Sequence, residues 1–165
     1  MTATAIDLLA LAVVAAALLA AAWSDLRLYL IPNRYPAAIA AAYLIPAITQ
    51  PASQSLWALG IGLLFFAAGA ALFAGRVMGG GDVKLMAAAA LWAGPHLALP
   101  FVNVIAFTGA GLALVWLSPM RRLLPAAPGA ESGVVGLRQR LREPVPYGIA
   151  ITAGGLYLAA FRALA

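Results

Sequence analysis

The sequence predicts an all-α membrane protein, a polytopic bundle of about six helical segments, the fourth short and reaching only half depth. Three observations carry that expectation. Of the 165 residues, 65% are hydrophobic and only 9% charged, and the mean hydropathy is +0.99. A soluble domain of this size lacks the interior to hide so much apolar surface, so lipid must serve as solvent. The apolar residues fall in runs of near-spanning length, and the basic residues gather in the short connectors between them. One compact domain over 1–165 suffices, with no internal repeat.

The first run covers residues 6–23. It ends in a small-residue stretch like a signal-peptide cleavage site, but no Lys or Arg precedes it and Asp7 does, so it is expected to stay as a first span. A polar stretch, 24–34, leads to a second run at 35–48, short unless 28–31 contribute, with Pro46 near its end where a kink is tolerated. After the uncharged loop 49–55, residues 56–75 form the clearest span. The glycine-rich turn 76–84 opens a helix over 83–93, halted by Gly94-Pro95. That piece would rise only about 17 Å, too little to cross hydrocarbon of roughly 30 Å. Residues 97–117 make the fifth span, 119–143 a basic loop, and 144–164 the sixth span. Small residues such as Ala15-Ala16-Ala17 and Gly60-Ile61-Gly62 are expected to let helices approach closely.

Charge sets the orientation. With the N-terminus outside, the cytoplasmic connectors hold Arg27, Arg34, Arg76, Lys84, Arg121, Arg122, Arg138, Arg140 and Arg142, leaving only Arg162 outside. The net charge of +5 then records topology, and no nucleic-acid partner is expected. With no cysteine, disulfides and thiolate zinc sites are excluded.

This topology brings two acids to one face: Asp25, in Ser24-Asp25-Leu26-Arg27, and Asp82, in Gly79-Gly80-Gly81-Asp82-Val83-Lys84. Carboxylates at the border of hydrocarbon are costly and mark function by default. Glycines before Asp82 supply unusual backbone conformations and room for close approach. Paired carboxyls suit peptide hydrolysis. One, ionised, takes a proton from water while the other, protonated, hydrogen-bonds the carbonyl oxygen, and proximity separates their titrations. Base and acid are not assigned within the pair. Lys84, two residues beyond Asp82, points away from it on a helix and is assigned to headgroups or a long-range field. A purely structural alternative pairs Asp25 with Arg27 or Arg34 and makes Asp82 the N-cap of a helix starting at Val83.

These residues resemble a known family. Gly79-Gly80-Gly81-Asp82 fits the GxGD motif of intramembrane aspartic proteases, and its continuation Val83-Lys84-Leu85-Met86 looks like the form in type IV prepilin peptidases. Ser24-Asp25-Leu26-Arg27 with Ile31-Pro32-Asn33 is similar to that family's first motif, and Pro146-Tyr147-Gly148 gives a third match. The resemblance implies an aspartic endopeptidase of the bacterial inner membrane that uses no cofactor or metal. Asp25 and Asp82 would be its catalytic pair. The substrate would be a prepilin, cut on the cytoplasmic side between a short basic leader and an apolar helix. It also implies that Gly79 and Gly81 shape the catalytic turn, while Pro32, Asn33, Pro146 and Gly148 set helix ends around the site, chiefly as structural residues. Larger members carry a cysteine-rich insertion and methylate the new pilin N-terminus. This cysteine-free chain looks like the minimal type of Flp (tight-adherence) pili, for which no methyl transfer is expected, and archaeal preflagellin peptidases share the two-aspartate design.

The remaining candidates carry less. His96 is expected on the outer face as an interfacial residue, not a metal ligand. Residues 134–142 set Val134, Leu137 and Leu141 against Arg138, Arg140 and Arg142, suiting either a helix on the headgroups or a flexible basic loop. Trp23, Trp57 and Trp116 sit near span ends as interfacial tryptophans do. A rival class, a proton- or ion-coupled carrier using the same acids as a relay, would favour acids at several depths. The other acids, Asp7, Glu131 and Glu143, make no such ladder.

Overall fold

Every regular element in the computed structural model is a helix, and the description covers residues 5–118 and 145–164. The order is α1 (Ala5–Leu28), α2 (Arg34–Ala42), α3 (Leu44–Thr49), α4 (Ala52–Ala74), α5 (Gly80–Leu117) and α6 (Gly148–Leu164). Of these, α1, α4 and α5 are long and apolar enough to cross a membrane, and α6 is a shorter apolar helix. The protein is a membrane helical bundle. The basic stretch 119–144, with its expected amphipathic segment, lies outside the described residues.

Two breaks have local causes. Pro46 has no amide to offer the carbonyl of Ala42, four residues back, and the second apolar run divides there into α2 and α3. Tyr43 N–H turns instead to Ala40 O at 3.2 Å. Within α5, Gly94 adopts φ 55°, ψ −171°, open to glycine and barred to most side chains, and Pro95 follows it. The chain doubles back here, so α5 is two limbs, 80–93 and 95–117. The half-depth fourth helix therefore starts earlier than expected, at Gly80 instead of Val83, and stops at the expected glycine.

Glycine approaches fix the packing. Along α4 and the first limb of α5, Gly69 lies against Val83 and Met86, and Gly62 against Leu91 and Ala87, an antiparallel register. A Cβ at Gly62 would come within 2.6 Å of the Leu91 side chain, whereas Gly60 faces open space. The second limb runs antiparallel to α6, with Gly154 on Phe101 and Ile105 and Gly109 on Tyr147 and Ala150. Between α1 and α6, Gly155 sits on Leu18, and Thr152 Oγ1 donates to Leu18 O at 2.9 Å. Through these contacts the C-terminal half of α1 packs on α6, and the connector after α1 lies against the start of the first limb of α5, where Ile31 meets Gly81.

The tryptophans divide. Trp23 and Trp57 are exposed, as interfacial residues are. Trp116 departs from the expectation: it is buried, with its ring 6.3 Å edge-on to that of Tyr29. The protein supplies an aromatic partner there, so the ring has no need of the headgroup layer.

Candidate active site

Asp25 lies in the last turns of α1 and is only 6% exposed. Its Oδ2 accepts a 2.8 Å hydrogen bond from the backbone N–H of Gly148, the first residue of α6. Helix-start amides have no partner within their own helix, so this carboxyl takes up one of those free donors. Pro146, fully buried, leads the chain into that helix start, and its carbonyl accepts from Ile149 N–H at 3.3 Å. Gly148 thus does more than shape a helix end. It supplies a donor, and a Cβ in its place would meet Asp25 Oδ2 at 2.8 Å.

Asp82 occupies the first turn of α5, whose N-cap is Gly79. The carboxyl folds back on Gly79 and receives its backbone N–H, the reverse half of a capping box. The expectation of Asp82 as N-cap of a helix from Val83 is therefore corrected. Oδ1 of Asp82 is buried and meets no hydrogen-bond partner among the described residues. Asp25 lies close enough to act on Asp82 electrostatically. Two acids far apart in sequence come together at one end of the bundle.

Among the described residues neither Arg27 nor Arg34 pairs with Asp25. Arg27 lies over the Trp23 ring, 4.4 Å from its centroid. Arg34 donates to Tyr35 OH at 3.0 Å. Lys84 points away from Asp82 as expected of its spacing, is exposed, and donates from Nζ to Asn33 Oδ1 at 2.9 Å, tying the first limb of α5 to the connector before α2. Asn33, at the N-cap position of α2, makes no side-chain cap bond and serves Lys84 instead. Pro32 closes the same connector, accepting from Tyr35 N–H at 3.2 Å.

The glycines matter for space, not for unusual dihedrals. Gly79 is extended (φ −72°, ψ 146°), and the left-handed residue of this turn is Arg76, at φ 59°. A Cβ on Gly81 would come 2.9 Å from Ile31 Cβ, and one on Gly79 2.9 Å from Asp82 Oδ2. Ile31 and Ser24 are the residues the sequence reading left without a role. Ser24, buried, donates from its hydroxyl to Leu30 O at 2.7 Å and fixes the turn after α1. Both stand beside Asp25 or Pro32 within the first motif, and that membership is the signal that marked them. His96 is exposed and lines a cavity of about 710 Å³ at the Gly94 break, at the opposite end.

Fold and site together define a helical membrane protein with two carboxyls held against helix starts at a common end. The chain belongs to the type IV leader peptidase family, whose model matches residues 12–114. That stretch contains both Asp25 and Asp82, while Pro146 and Gly148 lie beyond it. No curated protein and no solved structure matches the chain. The protein is accordingly a peptidase acting on leader sequences of the type IV prepilin kind.

Proposed function

We propose that Asp25 and Asp82 are the catalytic pair of an aspartic endopeptidase, housed in one domain over 1–165, that removes the leader of a type IV prepilin. The observation that carries this reading is their convergence: one carboxyl on the start of α6, the other in the first turn of α5, the latter with a buried oxygen free of protein partners among the described residues. A buried polar atom without a partner is a cost that structure alone gives no reason to keep.

The chemistry follows from the pair. The ionised carboxyl takes a proton from water as its oxygen attacks the scissile carbonyl carbon. The protonated carboxyl donates to the carbonyl oxygen, giving a tetrahedral diol. Proton return to the amide nitrogen then breaks the C–N bond, releasing leader and mature chain and restoring one proton to the pair. No metal or cofactor enters the balance.

The site faces the cytoplasm in this reading, with the N-terminus outside and about six helical segments in a bacterial inner membrane, the fourth only half depth. Arg27, Arg34, Arg76 and Lys84 all lie at the end that carries the acids, in keeping with the positive-inside rule. The absence of cysteine favours a substrate of the Flp (tight-adherence) kind.

The test is cleavage of a leader-bearing prepilin by purified protein in detergent, wild type against Asp25→Asn and Asp82→Asn. Wild type cuts and each variant, still folded, does not. Efficient cutting by either variant overturns the assignment.

A further inference from the structure

Ile31 stands between the start of α5, which carries Asp82, and the start of α6, whose Gly148 amide holds Asp25. Its backbone lies against Gly81, whose Cβ, if present, would meet Ile31 Cβ at 2.9 Å and its carbonyl oxygen at 3.3 Å. Its side-chain tip reaches the other acid's support: a Cβ on Gly148 would be 3.0 Å from Ile31 Cδ1 and 2.8 Å from Asp25 Oδ2. One side chain therefore bridges from the residue before Asp82 to the residue that donates to Asp25.

The connector that carries Ile31 is held at several points. Ser24 Oγ donates to Leu30 O at 2.7 Å, and Lys84 Nζ donates to Asn33 Oδ1 at 2.9 Å. Tyr29, at φ 51°, sits in the left-handed region that costs a non-glycine residue energy and persists only where surroundings over-determine it. Along this connector the neighbours Leu28 and Leu30 are each 60% exposed, whereas Ile31 is 6% exposed. The chain has thus turned one apolar side chain inward, between two glycines, while its apolar neighbours stay exposed.

We propose that Ile31 is a positioning residue, a spacer whose β-branch and δ-carbon set the separation of the Asp25 and Asp82 carboxyls. The inference rests on the two acids being the catalytic pair. Shortening the spacer lets the starts of α5 and α6 shift, and a misplacement of about 1 Å in a reacting geometry costs on the order of 100-fold.

The test uses the full-length protein in detergent with a leader-bearing prepilin. Ile31→Ala lowers kcat by roughly 10- to 100-fold with KM little changed, the mark of geometry that matters in the transition state. Ile31→Val, which keeps the contact with Gly81 but loses the carbon reaching Gly148, falls between the two. Because the chain has no cysteine, spin labels at the exposed Leu28→Cys and Val77→Cys, which flank the two acids and leave both carboxyls in place, report the spacing of the end of α1 and the turn before α5. Their distance distribution broadens on the Ile31→Ala background and stays narrow with Ile31 intact. Wild-type kcat in Ile31→Ala, or a label distribution unchanged by it, overturns the spacer. Should Ile31→Ala fail to fold, Ile31→Val with the labels decides by the same two readouts. Failure of the underlying pair is a different result, namely cleavage surviving in Asp25→Asn or Asp82→Asn.

Discussion

The two ends of the bundle solve the problem of buried polar groups in opposite ways. At the end away from the acids, the Gly94 break leaves carbonyls of the first α5 limb without helical donors, and Arg162 Nε supplies Trp92 O at 2.6 Å. Trp92 Nε1 in turn donates to Ile39 O at 3.1 Å, and Gln50 Nε2 reaches Tyr43 OH at 2.7 Å and Ser55 Oγ at 3.1 Å. At the acid end, glycines and Ile31 close in tightly, yet Asp82 Oδ1 is buried with no partner among the described residues. The first end looks built for stability. The second keeps an incomplete group where a substrate and water would complete it.

Substitutions at the acid end should affect activity first, and those at the other end stability first. The largest effect is expected for Asp25→Asn and Asp82→Asn, each lowering the cleavage rate by about 10²- to 10⁴-fold, the range for general acid–base groups. Thermal unfolding in detergent should barely move. Next comes Gly148→Ala, whose new Cβ would press on Asp25 Oδ2. Cleavage should drop roughly 10- to 100-fold, with a stability cost of about 1–3 kcal/mol from overpacking, separable by assaying well below the melting temperature. A Gly148→Ala enzyme with full activity would break the comparison.

The opposite end sharpens the contrast from the other side. Arg162→Leu leaves Trp92 O without its donor, so the melting temperature should fall, by about 1–3 kcal/mol in stability, while the cleavage rate at low temperature stays at the wild-type value. Last, Trp92→Phe removes the bond to Ile39 O and part of a buried ring packed on Tyr43 and Arg162, and should cost on the order of 1–3 kcal/mol, again read by thermal unfolding with activity intact. If either substitution abolished cleavage without destabilising the protein, the division between the ends would be wrong.

Much of this was legible in the chain itself. The break at Gly94-Pro95 follows from two residues that cannot continue a helix, and the shared end of Asp25 and Asp82 follows from counting apolar runs. What escaped depended on partners distant in sequence. Trp116 reads as an interfacial tryptophan until Tyr29 comes against it. The bond from Lys84 to Asn33, 51 residues apart, has no local signal in the sequence. Of the two reasons a Gly run suggests, unusual dihedrals and room for close approach, the second applies at Gly81, because Ile31 lies against it. Ile31 itself carries no chemistry that a reading for titratable groups could notice.

The tether on Asp25 belongs to the main chain, since Gly148 contributes an amide and no side chain. No exchange of a neighbouring functional group can delete that bond. Only a residue too bulky for the gap, or a proline lacking the hydrogen, would do so. The acid's anchorage is thus inherited through the path of the polypeptide.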